Sequence, residues 1–95
     1  MNNKKYIGVA DFEFTMPMKG QSSEVVSIGT VILDEKGKMV ATFDSIVRPS
    51  KTNVKISRYC TDLTGITQEM VNKAEPFFIV FKKYTRFLRK YGVKS

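Results

Sequence analysis

Residues 25–47 read V-V-S-I-G-T-V-I-L-D-E-K-G-K-M-V-A-T-F-D-S-I-V. Two runs rich in β-branched and aromatic residues, 25–33 and 40–47, flank the polar segment 34–38, which carries its glycine at Gly37. That pattern predicts two strands joined as an antiparallel hairpin. Upstream, residues 6–14 (Y-I-G-V-A-D-F-E-F) form a third run of the same kind, reached through a looser connection, 16–23, that contains Pro17 and Gly20. The three strands are therefore expected to form an antiparallel meander. After Pro49 the period becomes helical. Ser57 is a predicted N-cap for a helix over 58–63 that stops at Gly65, and Thr67 caps a second over 68–74. Pro76 suits the first turn of a longer helix in which Phe77, Phe81, Tyr84, Leu88 and Tyr91 recur at helical spacing, with Gly92 as its end. The expected fold class is α/β: a three-stranded antiparallel meander followed by helices, in the order β-β-β-α-α-α.

A chain of 95 residues has room for one small domain. Lys and Arg number 16 against 9 Asp and Glu, a net charge of +7. Much of that excess lies near the C-terminus, where Lys82, Lys83, Arg86, Arg89, Lys90 and Lys94 follow one another without an acid. Such a segment can attract phosphate backbones, but a run of charge on a helix is more often just its solvated face. The lone cysteine, Cys60, excludes an internal disulfide framework and a four-cysteine zinc site; it fits a reducing compartment, with the cytoplasm as the default, or simply a buried small hydrophobe. With no histidine in the chain, histidine triads, histidine zinc sites and a histidine general base are all excluded. Chemistry has to come from carboxylates or lysines. No run approaches the roughly 20 apolar residues of a membrane span, and the N-terminal apolar run is too short for a signal peptide, so no membrane partner is expected.

The period of two along the first strand puts Ile7, Val9, Asp11 and Glu13 on one face, and Tyr6, Gly8, Ala10, Phe12 and Phe14 on the other. Both faces begin apolar, which is the pattern of a strand covered above and below. Two carboxylates then appear at its C-terminal end. Spaced two apart, Asp11 and Glu13 point the same way, and their mutual repulsion is relieved by a hard cation such as Mg²⁺ or Mn²⁺. Two such ions about 4 Å apart are a common device for phosphodiester hydrolysis. A solvated strand end produces the same D-x-E tripeptide, and the tripeptide alone does not separate the two readings.

The strings V-A-D-F-E-F-T (Val9 to Thr15), S-E-V-V-S-I-G-T-V-I-L (Ser23 to Leu33), F-D-S-I-V-R-P (Phe43 to Pro49) and Y-C-T-D-L-T-G-I-T-Q-E-M-V-N-K-A (Tyr59 to Ala74) together carry a resemblance. In order and spacing this chain resembles the DEDDh 3′–5′ exonucleases of the RNase H-like fold, in particular the KapD and histone-mRNA exonuclease branch. The resemblance implies metal-dependent removal of nucleotides from the 3′ end of RNA or DNA, with two Mg²⁺ or Mn²⁺ ions. Asp11 matches the aspartate that touches both metals. Glu13 matches the glutamate that holds the metal binding the nucleophilic water, beside the terminal ribose, and Thr15 completes D-x-E-x-T. Phe12 and Phe14 match main chain and packing at the 3′ nucleotide. Leu63, Thr64 and Ile66 match the segment lining the terminal base, with core packing an equal reading for Leu63 and Ile66; Glu24 and Cys60 fit the pattern as structural residues.

The chain departs from that family in lacking its later aspartate and its H-x-x-x-x-D segment, and Asp34, Asp44 and Asp62 match none of the absent ligands. The expectation is one incomplete exonuclease domain over 1–95, the N-terminal half of the fold, inactive alone. Its first strand should carry a bare edge, and a complementary chain could supply the missing half. The alternative is a non-catalytic nucleic-acid-binding or interaction module that uses the basic C-terminal helix and the open strand edge.

Overall fold

In the computed structural model, residues 4–15, 23–51 and 54–93 are described. They form β1 (Ile7–Phe14), β2 (Val25–Leu33), β3 (Met39–Ile46), α1 (Arg58–Thr64), α2 (Gln68–Lys73) and α3 (Phe77–Lys90). Apart from Ser23, the predicted connection 16–23 lies outside the described residues. The sheet order is β1-β2-β3 with both pairings antiparallel, the meander expected from the sequence.

The β2–β3 turn shows why the segment 34–38 reverses the chain. Asp34 accepts the Lys36 and Lys38 N–H groups on Oδ1, each at 2.9 Å. Its own N–H donates to the Lys38 carbonyl, and Gly37 takes a φ of 80° that a side chain would resist. The helix ends are equally local. Ser57 Oγ accepts the Cys60 N–H, Thr67 Oγ1 accepts the Met70 N–H, and Gly65 closes α1 in the left-handed region.

β2 is the central strand, and its residues alternate between half-buried and buried. Its buried residues Ile28 and Ile32 pack with Val47 and with Val80, Tyr84 and Leu88 of α3 to form the main core. Thr30 lies on the same face, and its hydroxyl is 2.8 Å from the Tyr84 hydroxyl, so the pair satisfies two polar groups that burial would otherwise penalise. A second cluster, Val26, Ile66 and Val71, anchors α1 and α2 at one end of the sheet.

Two expectations are corrected. The apolar stripe of α3 runs through Val80, whereas Phe81 is 41% exposed and stacks on Phe77. Residues 77–81 are all apolar, and both Val80 and Phe81 stand at helical spacing from Phe77 and Tyr84, so spacing does not fix the stripe; it is Val80 that packs in the core with Tyr84 and Leu88. The second correction concerns β1. Its apolar alternation suggested cover on both faces, yet Ile7 is 61% and Val9 54% exposed, because α3 covers only the face that carries Gly8 and Phe12. Among the described residues β1 pairs with β2 alone, and no strand lies along its other edge.

Candidate functional site

The register fixes where the strand carboxylates sit. Asp11 lies opposite Gly29 of β2, and Glu13 opposite Ser27. Between them Phe12 turns to the other face, where its ring centroid is 6.0 Å from that of Tyr84. Asp11 and Glu13 therefore share the face of the sheet turned away from α3. Immediately after Glu13 the pairing shifts, Phe14 opposing Val25, so a bulge ends the regular ladder just past the two acids. Such a bulge re-aims the chain and sets the pair apart from the strand end at Phe14 and Thr15.

Thr15 secures that separation. It is buried, its N–H donates to the Glu24 carbonyl at 2.8 Å, and its Oγ1 accepts the Glu24 N–H at 2.9 Å. The hydroxyl thus clamps the end of β1 to the start of β2. Glu24 takes part through its backbone. The buried Cys60 sulfur lies 3.7 Å from the Phe14 carbonyl and docks α1 against the end of β1. Around that junction Phe14, Tyr59 and Leu63 remain exposed. Thr64 uses its hydroxyl within the loop, donating to the Cys60 carbonyl and accepting the Ile66 N–H, while the Ile66 side chain is in the core with Val26 and Val71. The structure thus brings Asp11 and Glu13 together on one open face and presents Phe14 and Leu63 near its end. Thr15, Thr64 and Ile66 are engaged in internal contacts, and Phe12 packs on the helix side.

A third carboxylate joins this row. Asp44 of β3 lies directly opposite Gly29, on the same face as Asp11. Its Oδ1 is 3.7 Å from where a Cβ on Gly29 would stand, which places the carboxylate over the central strand beside that glycine. Only the register reveals this; an aspartate in F-D-S has no distinguishing sequence signal. Even so, among the described residues no group of three or more His, Cys, Asp or Glu could hold a metal ion. Asp11 and Glu13 are all-oxygen donors, and Mg²⁺ is commonly held by one or two carboxylates, with waters and substrate phosphates completing the shell. The donor chemistry fits a hard divalent cation. The ion pairs Arg58–Asp62, Lys73–Glu69 and Lys83–Glu75 lie on the helical half of the chain, away from β1.

The basic residues of α3 occupy the other side. Lys82, Lys83, Arg86, Arg89 and Lys90 are exposed on the helix that covers the opposite face of the sheet from Asp11 and Glu13.

Comparison with known proteins gives a consistent picture. The family profile described as Exonuclease (RNase T) matches residues 9–94. ERI1 exoribonuclease 2 of Danio rerio is 36% identical over 87 residues, covering 88% of this chain and 16% of that protein. The nuclease domain of 3′hExo, a DEDDh family member solved with bound rAMP, superposes with a TM-score of 0.79 at 32% identity, covering 97% of this chain and 48% of that one. A 3′-exonuclease solved in 3′-end-specific recognition of a histone mRNA stem-loop gives a TM-score of 0.79, also at 32% identity, with 99% of this chain and 44% of that one covered. This chain spans less than half the length of each of these relatives.

Proposed function

Given that this chain belongs to the exonuclease family, its strands and helices being the N-terminal part of an RNase H-like exonuclease fold, we propose that it is the metal-anchoring part of a 3′–5′ exonuclease acting on RNA 3′ ends. Asp11 and Glu13 would hold the divalent ion, Mg²⁺ or Mn²⁺. The observation that carries this reading is the placement of both carboxylates on one open face, just before the bulge that ends β1. When bound, the cation supplies charge neutralisation at a phosphodiester and lowers the pKa of a coordinated water.

The chain's own residues do the rest. The bulge and the Thr15 clamp hold the end of β1 in one geometry, so the two carboxylates are presented without a cost in chain ordering. Exposed Phe14 and Leu63 offer apolar surface to a terminal base. Residues 1–95 hold no histidine base, and Asp34, Asp44 and Asp62 match none of the ligands that the family adds later; in this reading the domain is incomplete and those groups are supplied from elsewhere, by further polypeptide or by a complementary chain. Among the described residues no helix is long and apolar enough to cross a membrane. The free thiol of Cys60 suits a reducing compartment, and cytoplasmic RNA is the proposed substrate pool. A second reading, a non-catalytic nucleic-acid-binding module, draws on the cationic outer face of α3. That face lies across the sheet from Asp11, so a strand bound there would not be delivered to the carboxylates.

Mn²⁺ binding followed by electron paramagnetic resonance tests the metal assignment without relying on turnover. The chain is expected to bind Mn²⁺ weakly, and Asp11→Asn with Glu13→Gln should weaken that binding about tenfold or more, since two anionic donors become neutral amide oxygens and Asp44 is left as the carboxylate of that row. Equal binding by the double variant would remove the assignment.

A further inference from the structure

Where β3 leaves the sheet, the backbone of Arg48 is held on both sides. Its N–H donates to the Glu75 carbonyl and its carbonyl accepts the Phe77 N–H, both at 2.9 Å, in an isolated parallel bridge with Pro76. Lys55 is pinned in a comparable way. The Gln68 side chain spans it, Oε1 accepting the Ile56 N–H at 2.8 Å and Nε2 donating to the Val54 carbonyl at 3.1 Å. A groove of about 820 Å³ opens between these anchored segments, with Val54 and Val71 in its lining. Arg48, Lys51 and Lys55 also line it, and so does Phe78, which is 58% exposed. None of its lining residues, among those described, is acidic. Glu75, close in sequence, directs its carboxylate to Lys83 instead.

A run of cations on a convex helix is mostly a solvated face. Here the positive charges line a concavity, the backbone at Arg48 and around Lys55 is held before any ligand arrives, and an aromatic ring stands exposed beside them. Cations that follow a phosphate backbone, together with a ring on which a base stacks, are the two components of single-strand recognition. An acidic protein segment would use the charges and leave the ring without a planar partner. We propose that this groove binds a single-stranded nucleic acid, with Arg48, Lys51 and Lys55 on its phosphates and Phe78 stacked on a base.

The groove lies at the same end of the sheet as the carboxylates. Ile46, two residues before Arg48, is opposite Ser27, which is opposite Glu13, and two interstrand spacings amount to roughly 10 Å. This site is separate from Asp11 and Glu13 and does not depend on their holding a metal.

Fluorescence anisotropy of a short 5′-labelled oligouridine, titrated in EDTA over a range of salt concentrations, tests the proposal. Arg48→Glu with Lys55→Glu should weaken binding about tenfold or more and reduce the slope of log K against log salt by about 1 to 2, at roughly 0.7 per phosphate released from contact. Phe78→Ala should weaken binding roughly fivefold or more while leaving the slope unchanged. Circular dichroism and melting should match the parent chain, since these side chains are exposed. Unchanged affinity and slope in the Arg48/Lys55 variant would overturn the proposal. So would an equal loss from Lys83→Glu with Arg86→Glu on α3, or displacement of the RNA by polyglutamate as readily as by unlabelled RNA. Because EDTA removes divalent ions, failure here is distinguishable from failure of the metal assignment, which the Mn²⁺ titration reads.

Discussion

Tyr84→Ala is expected to remove a large part of the stability of the fold. Tyr84 is only 4% exposed, and its ring lies 6.0 Å from Phe12 of β1 and 5.4 Å from Phe43 of β3. It therefore ties α3 to both outer strands across the central one. Truncating a buried aromatic to alanine costs about 3–5 kcal/mol, and loss of the hydroxyl leaves buried Thr30 without its partner. A chain of 95 residues has roughly 5–14 kcal/mol in total at 0.05–0.15 kcal/mol per residue. Urea unfolding should show a sharply lowered midpoint. Tyr84→Phe separates the contributions, because it keeps the ring and loses only the hydrogen bond; it should cost about 0.5–1.5 kcal/mol for the bond, plus any penalty for the orphaned hydroxyl. A loss below about 1 kcal/mol for Tyr84→Ala would mean that α3 is held elsewhere. Phe12 stands between Asp11 and Glu13 in sequence, so loosening Tyr84 should also loosen the strand that presents them.

The second large effect is an absence of turnover. Residues 1–95 with Mg²⁺ or Mn²⁺ are expected to shorten a 5′-labelled RNA no faster than buffer does, although the fold is that of an exonuclease. Enzymes typically accelerate their reactions by about a millionfold or more, and phosphodiester cleavage in two-metal sites depends on stabilising both the attacking and the leaving oxygen. Two carboxylates with no histidine cannot fix both positions. A denaturing gel decides the matter. A ladder of 3′-shortened products that needs the metal and disappears in Asp11→Asn would show that self-association completes the site.

The sheet was legible because its signals are local. The strand Val25–Leu33 has the limits its apolar run suggested, and Asp34 and Gly37 define their turn through contacts within a few residues. The caps at Ser57 and Thr67 follow from side-chain length alone. Five consecutive apolar residues at the start of α3 defeated periodicity, since which of them is buried depends on where Tyr84 meets the sheet. The shared face of Asp11 and Glu13 follows from strand alternation. The position of Asp44 does not, because it requires the β1–β2 and β2–β3 registers, which set both acids opposite Gly29. Thr15 was named through the resemblance, but its clamp was not legible, since a threonine after a strand gives no sign that its hydroxyl accepts the Glu24 N–H.

Among the described residues central β2 is hydrogen-bonded on both sides, whereas β1 meets a neighbour on one side only. In deuterated solvent the amides of β2 can exchange only through cooperative opening of the sheet, so they should report its global stability. Alternate amides of β1 point away from β2 and exchange with little protection. Exchange mass spectrometry should therefore resolve a slow centre and a fast flank within the same three strands. Any polypeptide that paired along that flank would appear as selective slowing of residues 7–14, even if it left the melting temperature and the helices unchanged.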